Sequence, residues 1–231
     1  MSTDTLQFSL RRVYGAVSTK GVTSLGRNVF ANRFLTDDVA FKFFLATDPR
    51  QAMNFLTNLT KTRVGTDVLG SIFSLHHDTA ATLGDRGMAP DFLALIESRD
   101  KDMQGAALSG DRAVSALTQA CGGQYTPAER ASFAGRIMNI IETLGQPAQM
   151  AIFSAEGTLC ALSQNGLAGR VMAIIETFDK DYRDEIVLKH AEDITAGGDE
   201  IVDAKVLGML RKIRAAAPEA PPGARADARK L

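Results

Sequence analysis

The chain has 231 residues, 45% of them apolar and 23% charged, which is enough to bury a core and excludes a fibrous, mucin-like or wholly disordered polypeptide. Twenty-six Lys and Arg face 27 Asp and Glu, and a formal net charge of −1 gives no whole-molecule attraction to nucleic acid or an anionic membrane. The longest unbroken apolar runs, Phe92 to Ile96 and Val171 to Ile175, fall far short of the ~20 residues that span a bilayer.

Residues 1–35 form a basic segment of net charge +4, with Arg11, Arg12, Lys20, Arg27 and Arg33 against Asp4. It holds no apolar stretch of ~7–15 residues before a small-residue cleavage site, so no secretory leader is expected, and cytoplasmic residence, or incorporation into an assembly made there, is the expectation. The run from Arg27 to Phe34 interleaves aromatic and basic residues but reads as an amphipathic helix with Arg on its rim, not as a nucleic-acid motif.

The body, residues 36–217, is predicted to be an all-α bundle of eight to ten helices with short connections. Asp37 and Asp38 precede VAFKFFLA, a helical pattern, and Asp48 with Pro49 repeats the start signal for a helix over 50–62. One helix is expected from Thr66 or Asp67 to about Leu83, with Val68, Leu69, Ile72, Phe73 and Leu75 on one face. Ala89-Pro90-Asp91 restarts a helix to Glu97, and Gly110-Asp111 opens a shorter one ending at Gly122-Gly123. Thr126-Pro127-Ala128-Glu129 is a capping box, heading a long helix with Phe133, Ile137, Ile140, Ile141 and Leu144 as its buried stripe. A helix from Pro147 to Leu162 follows, then a turn at Asn165-Gly166. The pattern resumes at Leu167 through Phe178 and on to His190, and a last helix spans 199–216 with Ile201, Val202, Val206, Leu207 and Leu210 apolar. Residues 218–231 read as a flexible tail, since they lack an apolar face. Single glycines inside helices, such as Gly70 and Gly135, suit close helix crossing.

Within this body GRIMNIIETL at 135–144 and GRVMAIIETF at 169–178 share seven of ten residues at a separation of 34. A weaker third copy, ALIESRDKD at 94–102, matches AIIETFDKD at 173–181 in six of nine positions. A duplicated helical unit would place the copies in equivalent environments, whereas chance similarity of amphipathic words would not. The unequal separations of 45 and 34 leave both open.

Catalytic candidates are few. His76, His77 and Asp78 form the one dense cluster, which reads either as a metal or general-base site or as a buried histidine beside a surface one; neighbouring histidines on a helix diverge by about 100° and do not converge on a metal unaided. Glu142 and Glu176 occupy the same place in two copies, and interhelical bridges to arginine fit them better than acid–base work. Cys121 and Cys160 stand alone, with no zinc-ligand or disulfide spacing, and phosphate-binding glycine loops and Gly-x-Ser-x-Gly are absent. No cofactor is therefore expected.

Charge is divided as +4 in residues 1–35, +4 in 211–231 and −9 between, with ten acidic residues from Glu176 to Asp203. Arg11, Arg12, Arg27 and Arg33 on one side and Asp181, Asp184 and Glu185 on the other are the residues expected to make complementary contacts between protein subunits. The functional expectation is a non-enzymatic structural or assembly protein of a multi-subunit complex, of virion or secretion-machine type, forming homo- or hetero-oligomers. The alternatives are a regulatory adaptor that binds a partner helix or peptide, and a metal-dependent enzyme using His76, His77 and Asp78.

Overall fold

A computed structural model describes residues 38–119 and 125–216. The basic segment with Arg11, Arg12, Arg27 and Arg33, the tail 218–231 and the Gly122-Gly123 stop lie outside the described residues. Among the described residues there is no strand, and no helix is long and apolar enough to cross a membrane. Among the described residues the all-α architecture holds twelve α-helices of seven or more residues, one of five and a π-helical turn over Ser163–Leu167, more than the eight to ten expected. In chain order these are α1 (Asp38–Thr47), α2 (Pro49–Leu59), α3 (Arg63–Leu75), α4 (Thr79–Asp85), α5 (Ala89–Glu97), α6 (Lys101–Leu108) and α7 (Ala113–Gln119). They continue as α8 (Pro127–Thr143), α9 (Gln146–Ser154), α10 (Thr158–Leu162), α11 (Ala168–Ile175), α12 (Lys180–Thr195) and α13 (Glu200–Ala216).

Several starts follow the capping chemistry of the sequence. Asp48 accepts from the Gln51 N–H at 3.0 Å, and the reciprocal Thr126–Glu129 box closes the first turn of α8. The additional helices come from breaks that hydrophobic spacing runs straight across. The helix expected over 66–83 starts earlier, on Thr62, and ends at Leu75 because His76 takes φ −118° and ψ 74°. The chain then turns into α4, and Leu75 is left exposed. The span 147–162 is cut after Ser154, where Gly157 adopts φ +72°, and the span from Leu167 onward is cut before Asp179, whose carboxylate caps the Tyr182 N–H at 3.0 Å. Helix α6 has no counterpart in the sequence reading, although Asp100 caps the Met103 N–H at 2.9 Å. Its start lies in the third copy: Asp100-Lys101-Asp102 there corresponds to Asp179-Lys180-Asp181 at the start of α12.

The helices stack in three columns with a period of three. The first column contains α2, α5, α8, α11 and α13; the second α3, α6, α9 and the first part of α12; the third α1, α4, α7 and α10. Helix α12 serves two columns because it kinks at His190 (φ −125°, ψ 22°), and its chain packs on both α11 and α10. In the third column every residue of α7 from Ala113 to Thr118 is buried. Its tightest crossing is at Gly84, where a Cβ would stand 2.7 Å from the Ala116 carbonyl. By contrast a Cβ on Gly135 meets nothing within 4 Å, and one on Gly70 only the Met103 methyl at 3.8 Å, so neither glycine serves the close crossing expected of it.

The first-column helices are in one register. Ala52, Ala89, Ala134, Ala168 and Asp203 correspond; so do Phe55, Phe92, Ile137, Val171 and Val206, and Leu56, Leu93, Met138, Met172 and Leu207. The first four members of each set are buried, and Leu59, Ile96, Ile141 and Ile175 complete the stripe at 0% exposure. The local bonds repeat as well. Ser98, Thr143 and Thr177 each return a hydroxyl to the carbonyl three residues back, and Gln104 and Gln149 each donate to the carbonyl eight residues back, on Ile96 and Ile141. The copies thus occupy equivalent environments, the outcome a repeated unit requires. Each unit packs chiefly on its sequence neighbours, as in helical solenoids. The long separation of 45 includes the turn before α7 and residues 120–124, which lie outside the described residues.

Candidate functional site

Along the first column, three of the four junctions are each tied by one ion pair. Arg136 on α8 grips Glu97 at the end of α5 through two parallel bonds, Nε to Oε1 at 2.6 Å and Nη2 to Oε2 at 2.7 Å. Arg170 on α11 holds Glu142 in the same way at 2.7 and 2.6 Å, and its Nη2 also donates to the Asn139 amide oxygen at 2.8 Å. Lys205 on α13 reaches Glu176 at 2.6 Å. The acid always closes one first-column helix, and the base stands six residues before the matching position in the next. Hydrogen bonding to Arg170 holds the Glu142 carboxyl below the ordinary glutamate range, and the same contact raises the Arg170 guanidinium.

One rung is missing. Between α2 and α5 the acid position is Thr60 and the base position is Asp91, and these two cannot form an ion pair. The two helices leave a groove of about 670 Å³ at this junction, and both residues line it. Arg50 and Asp91 are charged groups of opposite sign on its walls; Asn54, Thr57, Thr60 and Ser98 supply amide and hydroxyl groups, and Met53, Met88 and Leu95 the apolar surface. Its volume falls in the range of ligand-sized clefts, about 300–1,000 Å³. Such a lining can hydrogen-bond an extended peptide and offer one charge contact to each sign of side chain. The sequence reading missed this site because its signal is an interruption of a pattern: Asp91 in the place of Arg136 and Arg170.

The residues singled out from sequence fall elsewhere. His76 is 2% exposed and its ring stacks on Phe41 with centroids 4.5 Å apart, while His77 is exposed and Asp78 pairs with Lys42 at 3.1 Å. Among the described residues no three His, Cys, Asp or Glu side chains are grouped as a metal site. Asp181 and Glu185 are exposed on α12, and Asp184 lies 3.8 Å from both Lys180 and Arg183. The acidic stretch is therefore interleaved with bases, Lys205 on Glu176 included. On the kink of α12, His190 Nδ1 lies 3.0 Å from Asp193. The nearby Cys160 thiol is pushed up by burial and by the Asp193 charge, the reverse of what an activated thiolate needs.

No family model matches the chain, and neither a curated protein nor a solved structure is similar to it. What defines its class is internal: a stack of three-helix repeats, cross-tied by a ladder of ion pairs and open at one junction.

Proposed function

We propose that this protein is a non-enzymatic scaffold of a multi-subunit complex, and that it holds an extended segment of a partner protein in the groove between α2 and α5. The reading is carried by the missing rung. Two later junctions are closed by bidentate arginine bridges, so the open one is a departure from the molecule's own rule, and its lining suits a peptide main chain with flanking charges. Stacked helical repeats give long surfaces of this kind, on which partner chains lie. A partner segment with an acidic residue toward Arg50 and a basic one toward Asp91 fits the charges of the walls.

The test restores the rung. A displayed library of random linear peptides is selected on the full-length chain, and the selected peptides are measured by fluorescence anisotropy against the wild type and a Thr60→Glu/Asp91→Arg double variant. Rebuilding the ion pair should draw α2 and α5 together and weaken peptide binding by about 10-fold or more, the scale of one lost charged contact in an interface. Failure to enrich any peptide, or equal binding by both proteins, would sink the proposal.

A further inference from the structure

The fifth first-column helix, α13, differs from the other four on one face. Leu207 occupies the position of Leu56, Leu93, Met138 and Met172, each at most 1% exposed, yet it is itself 48% exposed. Asp203 stands where the other repeats bury alanine, and its Oδ1 is shut from water with no hydrogen-bond partner. A leucine left half in water where its four equivalents are covered marks a face that the described residues leave open.

The charges on this face specify the contact. Glu200, Asp203, Leu207, Arg211 and Arg214 are spaced by three, four, four and three residues, and at 3.6 residues per turn they fall in an arc of about 80°. Two acids precede the leucine and two bases follow it at mirrored distances. Glu200, Arg211 and Arg214 are exposed and make no ion pair among the described residues. The helix dipole favours acids at the start and bases at the end of any helix, but it places neither on a single stripe nor a leucine at the centre.

We infer that α13 is a self-complementary interface that pairs with α13 of a second copy of this chain, antiparallel, about a two-fold axis through Leu207. In that arrangement Leu207 meets its own counterpart, Asp203 faces Arg211 of the second copy and Glu200 faces Arg214 of the second copy, each contact occurring twice. A parallel pairing would set acid against acid and base against base, so the charges fix the orientation. One helix face is a small interface, and a dissociation constant of roughly 10–100 µM is expected. The inference stands apart from the peptide groove, which lies at the other end of the column.

Sedimentation velocity of the full chain from ~1 µM to ~1 mM tests it. Arg211→Glu sets like charges together at two symmetric places and should raise the dissociation constant at least ~10-fold; Asp203→Arg should do the same, and the combined swap should restore the wild-type value to within ~3-fold. Glu200→Arg and Arg214→Glu, both at exposed sites, repeat the cycle where an Asp203 variant melts early. A chain that stays monomeric at ~1 mM overturns the inference. So does a dimer indifferent to the single reversals, or a swap that fails to restore association.

Discussion

Glycine has opposite consequences at two helical positions, Gly84 and Gly135. At Gly84 the α4 backbone lies against Ala116 of α7, and an added methyl would meet main chain at 2.7 Å. Main chain cannot step aside as a flexible side chain can, so Gly84→Ala should destabilise by about 1–3 kcal/mol through overpacking. At Gly135, midway along α8, the same methyl enters open space while the helix loses its most disordered residue in the unfolded chain. Gly135→Ala should therefore stabilise by about 0.5–1 kcal/mol. Chemical denaturation of the two variants checks both signs, and a destabilised Gly135→Ala would show that α8 is crossed more closely than described. Glu142 is another residue whose setting has a measurable consequence, because hydrogen bonding to Arg170 holds its carboxyl below the ordinary glutamate range.

That ion pair is a property of elements, since it joins α8 to α11 and repeats the link between α5 and α8. A carboxyl held low contributes stability that is fully present above its ordinary range and is lost as pH falls through its lowered value in the folded chain. Replacing it by Glu142→Gln should lower the melting temperature near neutral pH by about 2–4 °C at most, because roughly 40% of each side chain remains in water. The gap between wild type and variant should be constant from about pH 5 to 8 and should close below about pH 4. A gap that persists in acid would mean that the glutamine disturbs packing and that the charge is irrelevant. Helix ends behave as elements in the same sense: Asp48, Asp100, Thr126 and Asp179 all cap by side chain, and two of these four starts, Asp48 and Thr126, were legible in the sequence. The breaks at His76 and Gly157 were not, because the apolar spacing continues across them and only the return of the chain into the third column reveals the turn.

At the scale of the molecule, a stack in which each unit packs mainly on its neighbours distributes stability unevenly. Central repeats have two neighbours and a terminal one has one. Among the described residues, α7 packs chiefly on α4, α8 and α10, whereas α13 packs chiefly on α11 and α12 and buries just Val202 and Val206. Native-state hydrogen exchange at concentrations low enough to dissociate any dimer should find α13 opening first and α7 last, with a graded series between. Equal protection throughout would show a single cooperative unit and count against neighbour-by-neighbour coupling. At high concentration the dimer inferred above should slow exchange in α13 alone.

The sequence by itself determined the helical class, the strongest caps, the burial of Ile137, Ile140 and Ile141, and the pairing of Glu142 with an arginine, because each rests on local spacing or on a residue type with one good solution. Tertiary structure decided the rest. The correspondence of Ala52 with Ala89, and of Asp203 with both, becomes visible only when the helices are stacked, since loops of unequal length shift the period from 34 to 45 residues. The groove at Asp91 and the stripe through Leu207 are departures from a pattern, and a departure has no meaning until the pattern has been laid out in space. Burial is likewise a property of neighbours: Leu207 and Met172 are equivalent apolar letters in the chain, and what separates them is that helices close over one and leave the other in water.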